Sequence, residues 1–92
     1  MIYRYQIVNN EIIEITYDQN GKQTKTPTGA KAFYTKKEIA ERYKWGGDLM
    51  RKNLLELGNK IYDTDSNGNL ITSKRVFSPK EITIILDYFG LP

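Results

Sequence analysis

Apolar and polar residues alternate at the start of the chain, with Tyr3, Tyr5 and Ile7 separated by Arg4 and Gln6, which is the period-two pattern of a half-buried strand. After Asn9-Asn10 comes Glu11-Ile12-Ile13-Glu14-Ile15-Thr16-Tyr17, a β-branched and aromatic run that predicts a second strand. Asparagine tolerates positive φ, so the two strands are expected to form an antiparallel hairpin closed at Asn9-Asn10. Asp18-Gln19-Asn20-Gly21 is a further turn signal, with room after it for a short strand over residues 22–26. Pro27-Thr28-Gly29 then interrupts regular structure, and residues 22–32 read as a linker.

Beyond residue 32 the period changes to that of helices. In Tyr34-Thr35-Lys36-Lys37-Glu38-Ile39, Thr35 is placed as N-cap, Glu38 closes a capping box, and Tyr34 faces Ile39 as a hydrophobic staple. The predicted helix covers residues 36–44 and stops at Gly46-Gly47. Gly47 or Asp48 caps a second helix over 49–57, ended by Gly58. Phe77-Ser78-Pro79-Lys80-Glu81-Ile82 repeats the first device, with proline at the first helical position. Ile82, Ile85, Leu86 and Phe89 then form one apolar stripe of a helix over 79–89. Between the second and third helices, two short β-rich runs flank Asn67-Gly68 and predict a strand-turn-strand. The expected fold class is α+β: an N-terminal β-hairpin and linker over residues 1–31, then over 32–92 a three-helix winged helix-turn-helix-like domain, with a hairpin between helices two and three.

Composition narrows the chemistry. Cys and His are both absent from the 92 residues, so thiolate nucleophiles, Cys/His zinc sites and imidazole-based triads are excluded. No glycine-rich phosphate loop is present, and neither Glu11 with Glu14 nor Asp63 with Asp65 comes with a pocket signal, so no catalytic residues are assigned and no enzyme is expected. No cofactor is expected. The chain has no apolar run of the roughly 20 residues that span a bilayer, and its N-terminus lacks a signal-peptide layout, which predicts a cytoplasmic protein with no membrane association.

Charge is unevenly distributed. Residues 22–60 carry ten Lys/Arg against Glu38, Glu41, Asp48 and Glu56, net +6, whereas the flanking segments 1–21 and 61–92 are net −2 and −1. A concentrated basic segment suits a polyanion. At 100° steps, Met50, Leu54 and Leu57 fall on one side of the second helix. Asp48, Arg51, Lys52, Leu55 and Glu56 fall on the other, with Leu49 and Asn53 near the edge. Arg51 and Lys52, with Asn53, are the expected base or phosphate contacts. Gly47 stands at the helix start, Lys44 and Lys60 flank it on the phosphates, and Lys74 and Arg75 serve a wing. Leu55 and the acidic N-terminal hairpin support a rival: a protein-interaction module, such as a phage structural or anti-defence factor, that does not bind DNA.

Two further patterns bear on the chemistry. Asp63-Thr64-Asp65-Ser66-Asn67-Gly68-Asn69-Leu70 matches the first half of an EF-hand-like calcium loop, but Lys74 stands at the twelfth position, where a bidentate carboxylate is required, so no metal site is assigned. Tyr3, Tyr5 and Tyr17 offer a base-stacking platform on the hairpin, set against ordinary sheet packing.

The sequence Thr35-Lys36-Lys37-Glu38-Ile39-Ala40-Glu41-Arg42-Tyr43, followed by Trp45 and Met50, resembles the T-x-x-E-h-A start of excisionase-like and MerR-like winged helix-turn-helix domains. That resemblance implies DNA binding by the helix after the turn, here helix 48–58. Gly46-Gly47-Asp48 departs from the hydroxyl-bearing turn of those families. A looser likeness, over about residues 33–92 and including the ending Tyr88-Phe89-Gly90-Leu91-Pro92, is to short uncharacterised proteins of gut anaerobes and their phages, and implies an architecture without an activity. The expected function is that of a small double-stranded DNA-binding protein, a transcriptional repressor, excisionase-like factor or phage accessory factor.

Overall fold

A computed structural model describes residues 2–92. The fold is α+β: strands β1 (Ile2–Val8), β2 (Glu11–Tyr17) and β3 (Gln23–Lys31), then helices α1 (Lys36–Tyr43), α2 (Gly47–Leu57) and α3 (Pro79–Phe89), with one 3-10 turn, Gly58–Lys60, directly after α2. The strands form one antiparallel sheet in the order β1-β2-β3. At the first turn Asn9 and Asn10 have φ of 50° and 66°, the pair of left-handed residues that a two-residue type I′ hairpin needs. Ile7 accordingly sits opposite Ile12, and Tyr5 opposite Glu14.

Residues 22–32 differ from the linker expected of them, because most of this stretch is β3. Pro27 is tolerated since β3 lies at the sheet edge, where a missing N–H breaks no ladder on the outer side. The Thr28-Gly29 pair makes a bulge between Pro27, which faces Ile13, and Lys31, which faces Glu11. Gly29 supplies φ of 77°. The Thr28 hydroxyl donates to the Ile12 carbonyl at 2.7 Å and accepts from the Ala30 amide at 3.1 Å, so the extra residues remain hydrogen-bonded.

Both capping boxes form. Thr35 accepts from the Glu38 amide while the Glu38 carboxylate accepts from the Thr35 amide, and Ser78 and Glu81 do the same at α3. Helix α1 ends at Lys44, which takes the left-handed conformation at φ 57°. Helix α2 starts two residues earlier than expected, with Gly46 as N-cap in place of Gly47 or Asp48. Glycine is a fair N-cap as well as a helix stop, so a Gly-Gly pair needs only a short turn between helices.

The hairpin expected between helices two and three does not form a ladder. It reduces to a single bridge between Thr64 and Leu70. The remaining order comes from Asp65, whose Oδ1 accepts the Asn67 and Asn69 amides at 2.9 Å each. Its backbone N–H donates to Asn69 O at 2.8 Å and its carbonyl accepts from Gly68 at 3.0 Å. The Asp18 turn is built in the same way, with Asp18 Oδ1 on the Asn20 and Lys22 amides and the Asp18 N–H on Lys22 O. A local side-chain acceptor thus replaces cross-strand pairing.

One core joins the sheet to the helices. Ile12 of β2, Phe33, Ile39 of α1, Leu54 and Leu57 of α2, Ile61, Tyr62, Phe77, and Ile82, Ile85 and Leu86 of α3 are buried together. Helix α3 lies along β1, and the Asp87 carboxylate accepts the Tyr5 amide at 2.8 Å. The segments before α1 and α3 are themselves paired: the Phe77 amide donates to Tyr34 O at 2.7 Å and the Lys36 amide to Arg75 O at 2.9 Å. The two capped helix starts are therefore held side by side.

Candidate nucleic-acid interface

The turn between α1 and α2 is fixed by aromatic packing. Tyr43 stacks on Trp45 with ring centroids 4.4 Å apart, and Trp45 meets Phe89 edge-on at 5.0 Å. The Tyr43 hydroxyl donates to Gly90 O at 2.6 Å, and burial raises its pKa above the ordinary tyrosine value. These rings are engaged in packing. On the hairpin, Tyr5 turns toward the core, as ordinary sheet packing requires, and the register sets Tyr17 on the opposite face of the sheet, so the two offer no common stacking platform. The side chain of Tyr3 lies outside the described residues.

On α2 the inward side chains are Leu54 and Leu57, with Met50 half-buried beside them. Asp48, Arg51, Lys52, Leu55 and Glu56 are exposed, and Asn53 is half-buried at the margin. Arg51 approaches Asp48 at 3.5 Å, an exposed i,i+3 pair that water and salt weaken. Lys44 and Gly47 are exposed at the α1–α2 turn, and Lys60 is exposed at the end of the 3-10 turn. Leu49 and Leu55, 47% and 44% exposed, add apolar surface to the same helix.

Lys74 and Arg75 do not act as a pair. Lys74 turns to Glu81, donating to its two carboxylate oxygens at 2.7 and 2.9 Å, and lies over the Phe77 ring. Burial would raise the Glu81 pKa, but the Lys74 ammonium and the Ser78 donors outweigh it and hold the carboxyl below its ordinary range. Arg75 is exposed, and its backbone is fastened to Lys36.

Lys36 is the site residue that the sequence did not single out. Its ammonium donates to Thr72 O at 2.5 Å and stands 5.2 Å over the Tyr62 ring. Partial burial lowers its pKa, and the nearby guanidiniums of Arg51 and Arg75 lower it further. Lys36 of α1 and Arg75 of the segment before α3 are thus drawn together by the fold although they are far apart in the chain. Thr35, Lys36, Lys37, Arg75 and Val76 line a shallow concavity of about 440 Å³ at this place. Of the residues expected to bind DNA, Arg75 lines this concavity and Arg51 does not; Lys44 lies at the opposite end of α1 from Lys36, and Lys60 follows the far end of α2. No group of three or more acidic residues suited to a metal ion occurs among the described residues. No helix among them is long and apolar enough to cross a membrane. Comparison with protein-family models, with curated proteins and with solved structures finds no match to this chain.

Proposed function

We propose that the chain is a small cytoplasmic DNA-binding protein, of repressor, excisionase-like or phage accessory type. In it α1 and α2 act as a helix-turn-helix, α2 enters the major groove, and the segment between α2 and α3 flanks the duplex as a wing. The observation that carries this reading is the division of α2: Leu54 and Leu57 are anchored in the core, while Arg51 and Lys52, midway along the helix, are exposed. Positive side chains on an exposed helix neutralise phosphates, and an arginine reaching a base edge reads guanine. The protein is expected to bind duplex DNA with an affinity that falls as salt rises. Arg51→Ala should cost about 1–3 kcal/mol on the preferred sequence and relax base choice. Lys44→Ala should weaken all sequences alike.

A second reading is favoured by the exposed Leu49 and Leu55 on the same helix. In a protein-interaction module without DNA binding, Leu55→Ala would weaken a protein complex. Fluorescence anisotropy with labelled duplexes separates the two. No retardation or anisotropy change at about 50 mM salt and tens of micromolar protein would reject the DNA reading, because even non-specific binders register there.

A further inference from the structure

The register of the sheet sorts its charges in a way that the net charge of the segment hides. Residues 1–21 are net −2, yet Glu14 lies beside Tyr5 on the face that holds Ile12 and the core, and Asp18 is spent in its turn. On the opposite face Arg4 and Lys25 flank Ile15 across the strands, and Gln6 and Pro27 flank Ile13. Glu11 is the one carboxylate there, and Lys31 stands beside it. Among the described residues neither Arg4 nor Lys25 forms an ion pair, and Asp87 feels Arg4 only from a distance. An acidic stretch of sequence therefore presents a basic face. That face is also apolar along its middle. Ile15 is only 8% exposed although it lies outside the core, so its cover comes from its own face, where the long stems of Arg4 and Lys25 flank it. Ile13 is half-buried, Val8 is exposed, and a groove of about 360 Å³ lined by Gln6, Val8, Glu11, Ile13, Lys25 and Pro27 opens at the hairpin end. The buried helical residues gather on the Ile12 side and leave this face to solvent.

We infer that the outer face of the sheet, centred on Ile13 and Ile15 between Arg4 and Lys25, is the docking surface for an acidic amphipathic α-helix of a partner protein. The dimensions suit one helix. Two strand spacings separate the Arg4 and Lys25 backbones by about 10 Å, close to the width of a helix with its side chains, and a seven-residue strand is about as long as a 15-residue helix. Laid along β2, such a helix sets its apolar stripe on Ile13 and Ile15 and sinks one large side chain into the groove. Glutamates on its two flanks then reach Arg4 on one side and Lys25 on the other. A helix also satisfies its own peptide groups, whereas an extended segment on a sheet face would leave its backbone donors and acceptors without partners. Charge disfavours a second copy of this chain, because each copy would bring the same cationic flanks to the contact. The isoleucines between the cations offer a duplex no donors, which disfavours nucleic acid. The surface is separate from α2 and does not depend on the DNA reading.

Amide chemical shifts of the full chain, followed during titration with two synthetic helical peptides, test it. Both peptides carry one leucine stripe; glutamates flank the stripe in the first and lysines in the second. Saturable shifts confined to the three strands are expected with the glutamate peptide and none with the lysine peptide. Arg4→Glu with Lys25→Glu, at two exposed positions, should weaken the glutamate peptide about tenfold and bring the lysine peptide onto the same face. A flat response to the glutamate peptide up to about 1 mM, or equal binding of both peptides, overturns the proposal. Sedimentation of the chain alone and titration with duplex DNA cover the other occupants. A concentration-dependent dimer abolished by Ile13→Asp would assign the face to a second copy. Strand shifts with DNA that vanish in the double reversal would assign it to nucleic acid. Either result overturns the helix, whereas DNA binding that leaves the strand shifts untouched agrees with both proposals.

Discussion

Glu38 and Glu81 do the same work at two helix starts and respond to acid in the same way. The Glu38 carboxyl is held below its ordinary range chiefly by the Tyr34 amide, aided by Thr35 and Arg42, and that of Glu81 by Lys74 and Ser78 against the opposing effect of burial. A carboxyl whose folded pKa is depressed contributes stability above its unfolded pKa and loses it as pH falls through the folded one. Asp87 has the opposite sign, since burial raises it despite the Tyr5 amide and Arg4, but its exposure to solvent keeps the effect small. Stability is therefore expected to fall between about pH 5 and pH 3. Glu38→Gln and Glu81→Gln keep the capping geometry and remove the charge. Each should lower the urea midpoint at pH 7 and flatten the acid limb, with Glu81→Gln the larger because it also strands Lys74. Equal acid sensitivity in the double variant would contradict this assignment.

At the level of elements, the Asp18 and Asp65 turns share one construction, an aspartate that accepts two following amides and a glycine three residues on. Asp65 therefore spends an oxygen on its own backbone, as Asp18 does where no calcium-like pattern exists. Asp65→Ala and Asp18→Ala are each expected to cost about 1 kcal/mol in chemical denaturation. Calorimetry at millimolar calcium should give no specific heat, and a saturable micromolar isotherm would overturn the turn assignment. The short-range signals were legible in the sequence: both capping boxes, the Asn9-Asn10 hairpin and the extent of α3 all depend on residues within a few positions of one another. What was not legible depends on distant partners. Pro27 and Gly29 look like breakers until β2 lies beside them, and the Asn67-Gly68 turn looks like a hairpin although its flanks gain only one bridge. For the candidate site, the outward face of α2 followed from helical spacing. Lys36 did not, because Thr72, Tyr62 and Arg75 reach it only through tertiary packing. The Lys74–Glu81 contact was similarly hidden, although the lysine stands just ahead of the Ser78-Pro79 cap.

For the whole molecule, the sheet and helices are expected to unfold together. Ile12 shares its core with the helices, and α3 rests along β1. Trp45 fluorescence, which reports on the α1–α2 turn, and the far-ultraviolet signal should give coincident thermal transitions. An early transition of the sheet alone would show that it folds independently. Phe33→Ala, at a fully buried position, should cost about 3–5 kcal/mol and lower both transitions equally. The outer strand of the sheet has one more consequence. The β1 side is shielded where Asp87 takes the Tyr5 amide, so β3 is the border left for another chain to join. Lys25 and Lys31 bring repelling charge to that border, Pro27 offers no hydrogen, and the bulge at Thr28-Gly29 bends it out of line. A fibril would need a straight and hydrogen-bonding template, and β3 denies it one, so the chain can be concentrated without this border seeding amyloid.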